Sequence, residues 1–249
     1  MTCYLRLHEL AVAVHPDVTG ADWDVAHRRW LQADGVRGRD DAFEAMPVTL
    51  IELDDLPDTD LSPFAGVVLS GRSDQELLAS RRDDIAAFLE RGRVVVFSGR
   101  LTTDWLAGAT PFERDGGDAA PPGSPELAEH PMFDGVSADD LGAGFLYRDG
   151  WHRPPEGAEI LARRPDGTPG AYANRNASGG TVLVHGGTNL LANAVHDTSA
   201  ARIVPQLLAW VGAQANRGAG AAAQRHQAGH SAAPAPRCTP SPSRATASS

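Results

Sequence analysis

The sequence predicts an α/β domain built on a doubly wound, mostly parallel sheet with an antiparallel extension at one edge. Three observations carry this. Short β-branched runs alternate with longer amphipathic segments, the pattern of parallel βα units. Runs such as Val67-Val-Leu69 and Val94-Val-Val-Phe97 are apolar throughout, as strands buried on both faces should be. Late in the chain several candidate strands lie close together with turn residues between them, and strands so joined pair antiparallel.

Residues 10–14, Leu-Ala-Val-Ala-Val, form the first expected strand. Residues 21–33 follow as a helix, with Trp23, Ala26, Trp30 and Leu31 on one face and Gly35 as its stop. Residues 48–53 and 66–69 give the second and third strands. Ser73-Asp-Gln-Glu76 has capping-box spacing, and Leu77, Leu78, Ile85, Phe88 and Leu89 share one side. Gly92 sits just past the end, so one helix is expected between. Residues 93–97 form the fourth strand, and a short helix starts near Thr102. Gly116-Gly117, Pro121-Pro122 and Pro125 mark 113–129 as a long surface loop. Residues 145–151, 158–163 and 181–185 read as strands, with 170–174 extended between them. The last helix covers 200–213, where Pro205 demands a kink or a start. Beyond Gln214 no large aliphatic or aromatic residue occurs, so 1–214 is expected as one domain and 215–249 as a disordered tail.

Charge excludes whole classes of function. All 22 basic residues are Arg, so no Schiff-base lysine, pyridoxal-phosphate lysine or P-loop lysine exists. Four of those Arg lie in 216–249, which leaves 18 Arg against 32 acidic residues in 1–215, a formal −14. A body that acidic repels a phosphate backbone, so no nucleic-acid partner is expected. No apolar run approaches the roughly 20 residues of a membrane span, and the start reads poorly as a signal peptide. A cytoplasmic protein with no membrane partner is the expectation. Cys3 and Cys238 form no C-x-x-C pair and no H-E-x-x-H or H-x-H occurs, so neither a metal nor a cofactor is expected.

Two strand–turn–helix junctions nearly repeat: Val67-Val-Leu-Ser70-Gly71-Arg72 and Val95-Val-Phe-Ser98-Gly99-Arg100. Both put Ser-Gly-Arg at the carboxyl end of a parallel strand, where ligands bind in open α/β sheets. Backbone N–H groups, the Ser hydroxyl and the Arg fork suit a small anionic or polar ligand. The plainer alternative is a tight turn at each Gly, capped by each Ser, with an ordinary solvated Arg. His185-Gly186-Gly187-Thr188-Asn189 follows the last strand, and Ser98 with His185 outlines an activated nucleophile. Asp197, Asp104 and Glu44 are candidate acids by type alone. Together Ser70, Arg72, Ser98, Arg100, His185, Thr188 and Asn189 are expected to line one concave surface.

The order of Leu69-Ser70-Gly71, Phe88-Leu-Glu-Arg-Gly92, Val94-Val-Val-Phe-Ser98-Gly99, His130-Pro-Met-Phe-Asp-Gly-Val136, Gly179-Gly-Thr-Val-Leu-Val184 and Asn189 resembles the class I glutamine amidotransferase-like superfamily, especially its trehalose-utilisation-type members. The resemblance covers about residues 5–214 and implies a flavodoxin-like fold. In active members a nucleophilic Cys in a Gly-x-Cys-x-Gly elbow stands where Ser98 is, and the catalytic His, usually followed by Pro-Glu, stands where His185 is. Here both elbow glycines are absent, Arg100 holds one of those positions, and Gly186-Gly187 replaces Pro-Glu. The resemblance therefore implies a catalytically silent domain that binds a small polar ligand or a protein partner at the carboxyl edge. A serine-dependent hydrolase using Ser98 and His185 is the alternative.

Overall fold

The computed structural model describes residues 10–14, 48–71, 73–116, 121–142, 144–177, 179–195 and 198–231, with side chains through Gly220 in the last stretch. The expected helix at 21–33, Arg72 and both Cys lie outside these residues.

The strands are β1 (Leu10–Val14), β2 (Val48–Glu52), β3 (Gly66–Ser70), β4 (Val94–Ser98), β5 (Phe112–Arg114), β6 (Glu126–Leu127), β7 (Gly150–His152), β8 (Glu159–Arg163), β9 (Pro169–Arg175) and β10 (Thr181–His185). The helices are α1 (Gln75–Ser80), α2 (Arg82–Glu90) and α3 (Ile203–Ser231). Eight strands form one mixed sheet in the order β2-β1-β3-β4-β10-β9-β8-β6, and β5 pairs with β7 apart from it. The centre, β3-β4-β10, is parallel. Antiparallel pairing extends it through β9, β8 and β6 on one side, as expected, and through β1 and β2 on the other.

Alternation along the central strands makes the two layers. Val68, Val96 and Leu183 face a cluster containing Ile203, Val204, Leu207, Leu208 and Val211 of α3. Val67, Leu69, Val95, Phe97, Val182 and Val184 face the other side, with Leu78 of α1 and Ile85, Phe88 and Leu89 of α2. Helices thus cover both faces of an α/β sheet. Each of these side chains contributes about 1.5–3 kcal/mol by leaving water.

Several elements differ from the sequence expectation. The 73–92 segment is two helices, because the Ser80 hydroxyl bonds back to the Leu77 carbonyl at 2.6 Å and Arg81 leaves helical geometry. Its cap is Asp74, not Ser73: the Asp74 carboxylate accepts from the Glu76 and Leu77 amides at 2.9 and 3.2 Å. The segment after Leu101 makes turns instead of a helix, with Leu101 O accepting from Phe112 N–H at 2.9 Å as the chain doubles back. Residues 145–149 are bends, and only Gly150–His152 of that stretch is strand. β5 and β6 lie within or beside the expected loop, each held by an antiparallel partner, β7 and β8.

The largest difference is at the end. α3 begins at Ile203, so Pro205 falls in the first turn, where its missing N–H costs nothing. The helix then runs through residue 231 instead of stopping near 213. Ala215 is fully buried, and Gly218 lies so close to Gly92 that a Cβ on it would meet the Gly92 carbonyl oxygen at 2.1 Å. Small residues that read as unable to pack are what allow this approach, and Ala is the best helix former. The helix thus passes the expected boundary at 214 and continues to residue 231; residues 232–249 lie outside those described. Among the described residues no helix is long and apolar enough to cross a membrane.

Candidate functional site

The three central parallel strands end level with one another. Ser70 is paired with Ser98, and Ser98 with His185. Parallel partners point to the same face, and alternation from Val68, Val96 and Leu183 puts all three on the α3 side. The fold therefore brings these three expected residues to one place. It is not an open surface: Ser70, Ser98 and His185 are 2%, 1% and 1% exposed.

Ser98 Oγ accepts from the Leu190 N–H at 3.3 Å. Leu190 opens a 3-10 helix, Leu190–Val195, so the hydroxyl serves a neighbouring helix start and not a helix following β4. The same start uses Asn189, whose Oδ1 accepts from Leu191 N–H at 3.0 Å, and Asn193, whose Nδ2 donates to Leu190 O at 2.8 Å. Asn189 and Asn193 are buried and structural.

His185 packs its ring 4.9 Å from that of Phe145, and neither ring nitrogen has a hydrogen-bond partner. Burial pushes its pKa down to about 3, and nearby His152 acts in the same direction. Backbone groups of Phe145 and Thr188 favour the charged form, yet neither reaches hydrogen-bond geometry. His185 is neutral at physiological pH and makes no hydrogen bond to Ser98. Of the candidate acids, Asp104 pairs with Arg82 at 3.2 Å, while Glu44 and Asp197 lie outside the described residues.

The repeated Ser-Gly has a packing cause. Gly71 N–H donates to Ser98 O, and Gly99 N–H donates to His185 O at 2.9 Å. A Cβ on Gly71 would lie 2.7 Å from Gly99 Cα, and one on Gly99 2.5 Å from Gly71 Cα, with Gly99 φ at +137°. The two turns touch backbone to backbone and leave no gap between them for an anion. Gln75, which the sequence reading treated only as part of a capping box, staples both turns. Its Nε2 donates to Gly71 O at 3.2 Å and Arg100 O at 2.7 Å, and its Oε1 accepts from Thr102 N–H at 2.8 Å.

Arg100 is already engaged. Its Nη2 donates to both Asp149 carboxylate oxygens, at 2.8 and 2.7 Å, and the guanidinium lies 4.5 Å from the Tyr147 ring and 5.3 Å from that of Phe112. The Arg100 hydrogen bond and charge hold the Asp149 carboxyl below the usual range against partial burial, with Arg114 adding a smaller pull. His152, also unforeseen, sits with Nδ1 2.7 Å from Thr110 O and Nε2 2.9 Å from Gly99 O. It ties the β5–β7 pair to the turn after β4, and burial pushes its pKa down against these two contacts. No spacing in the sequence marks Asp149 or His152, because their partners come from distant segments.

The remaining expected residues are placed as follows. Gly186 is buried, donating to Gly170 O at 2.8 Å and accepting from Tyr147 N–H at 2.7 Å. Thr188 is exposed, with its hydroxyl and amide both donating to Gly144 O, at 3.0 and 2.9 Å. The expected single concave surface is thus divided into a buried layer of Ser70, Ser98, His185 and Asn189 and an outer part of Arg100 and Thr188. Among the described residues no group of three or more His, Cys, Asp or Glu is placed to hold a metal ion. No family model, curated protein or solved structure matches this chain.

Proposed function

We propose that this chain is a catalytically silent binding domain of the class I glutamine amidotransferase-like kind, taking a small ligand or a protein partner at the carboxyl edge of its sheet. The observation that carries the silent half is the state of the two residues at the nucleophile and base positions. An activated serine needs a base within roughly 2.6–3.2 Å, a group that orients the base, and donors for the oxyanion. Ser98 instead accepts from Leu190 N–H, and His185 has both ring nitrogens unpartnered in a site that keeps it neutral. Arg100, at the position of an elbow glycine, is turned to Asp149.

The binding half rests on the general placement of ligands outside the carboxyl ends of strands in open α/β sheets. This reading puts the ligand beside the turns, over exposed Thr188 and the 144–148 segment, and not between Ser70 and Ser98. An anion reaching Arg100 competes there with Asp149. Turnover of p-nitrophenyl esters and of dipeptides by the protein and its Ser98→Ala variant tests the reading. No Ser98-dependent turnover is expected. Turnover that disappears in a folded Ser98→Ala variant would establish the hydrolase alternative instead.

A further inference from the structure

We infer that the cavity between residues 121–125 on one side and residues 141–142 and 145–148 on the other receives the ring of a small aromatic molecule. The inference deepens the proposed function and rests on it, because the cavity adjoins the carboxyl end of β10. Phe145 packs on His185 and Tyr147 N–H bonds to Gly186 O. Both aromatic residues also line the cavity.

Size and rigidity come first. The volume is about 140 Å³, close to that of an apolar cavity that takes benzene, roughly 150 Å³. Pro121, Pro122, Pro125 and Pro165 supply much of the wall, with buried Phe145 behind them. Pyrrolidine rings have fixed φ and almost no side-chain freedom, so these walls lose little side-chain entropy when a ring packs on them.

Hydrogen-bonding capacity then sets the ligand class. Arg164, whose side chain is 2% exposed, lines the cavity but has its edges occupied. Nε donates to Thr168 Oγ1, Nη1 to Asp115 at 2.7 Å and to the carbonyls of Arg148 and Gly150, and Nη2 to Asp166 at 2.8 Å. At most one N–H is left, and two carboxylates outweigh the single positive charge. The Ser124 hydroxyl, also at the wall, donates to Asp139 at 2.6 Å. A sugar finds these donors taken, while exposed Arg148 adds a cation at the rim. An aromatic ring gains the Pro, Phe145 and Tyr147 surfaces without displacing the Arg164 and Ser124 hydrogen bonds.

The test titrates phenol, benzoate and inorganic phosphate into the full-length protein, read by saturation-transfer NMR and by shifts of aromatic ring signals. Phenol and benzoate should each bind saturably and perturb Phe145 and Tyr147, with phosphate without effect on those rings. Gly142→Leu supplies the blocking variant: a Cβ there meets nothing within 4 Å, and the residue is exposed at the cavity wall. It should weaken phenol binding at least tenfold while retaining the native circular dichroism spectrum. Ser124→Leu, on the opposite rim, gives the same readout if Gly142→Leu fails to fold. Phenol that leaves Phe145 and Tyr147 unmoved, or binds both variants undiminished, overturns the inference, as does phosphate shifting the same ring signals. Those failures leave Ser98-dependent turnover absent, whereas failure of the silent reading appears as turnover whether or not phenol binds.

Discussion

Replacing His185 by Leu should flatten the acid side of the stability profile. In the folded protein burial holds the His185 pKa at about 3, whereas an unfolded histidine titrates near about 6.5. The unfolded chain therefore takes up a proton that the folded chain refuses. Stability from this group is fully present above about pH 6.5 and is lost as the pH falls from there towards 3. At about 1.36 kcal/mol per pH unit, moving from pH 7 to pH 5 removes about 2 kcal/mol through His185 alone. Carboxylates such as Asp149, whose pKa lies below the ordinary range, lose their contribution at lower pH, so the two effects separate. His130 and His152 are shifted down by burial too and keep part of the slope in the variant. Leu also removes two ring nitrogens that have no partner, so at pH 7 the variant should be about as stable as the parent. Urea unfolding at pH 5 and pH 7, followed by circular dichroism, gives both differences. A His185→Leu variant with the same pH 7 to pH 5 loss as the parent would refute the argument that His185 is buried and neutral.

Three further outcomes follow from the geometry. Gly99→Ala should cost at least about 2 kcal/mol, since it meets Gly71 Cα at 2.5 Å in a backbone conformation that disfavours a side chain. Gly142→Ala, with open space around its Cβ, should stay within about 0.5 kcal/mol, and equal urea midpoints for the two would contradict the contact between the turns. Arg100→Ala should cost roughly 1 kcal/mol, because the ion pair with Asp149 is more than a third exposed and screened; the Asp149 pKa should rise towards its ordinary value by NMR titration. A chain ending at Gln214 should melt below one ending at Ser231, having lost buried Ala215 and the Gly218–Gly92 contact, and coincident melts would return the boundary to 214.

The sheet was legible wherever one strand carries its own signal. Val94-Val-Val-Phe97 has no polar residue to face solvent, so a central position is its only stable use, and β4 lies between β3 and β10. β6, two residues long, has no such signal and exists through its pairing with β8. The continuation of α3 was hidden for a related reason. Ala215 and Gly218 look incapable of packing until Gly92, on another segment, is seen to leave room for them. At the site, the sequence placed Ser70, Ser98 and His185 on neighbouring strand ends correctly. It did not reveal that Gly71 and Gly99 touch, or that Arg100 meets a carboxylate 49 residues away. Local pattern marks where a turn is; only the folded chain shows what each turn's side chains have already bound.

The most direct test of catalytic silence is intact-protein mass spectrometry after exposure of the native full-length chain to a fluorophosphonate probe. A hydroxyl that is 1% exposed and accepts from Leu190 N–H, beside a histidine that does not contact it, should give no adduct at Ser98. An adduct at Ser98 that vanishes in a folded His185→Ala variant would contradict the account and identify an activated serine.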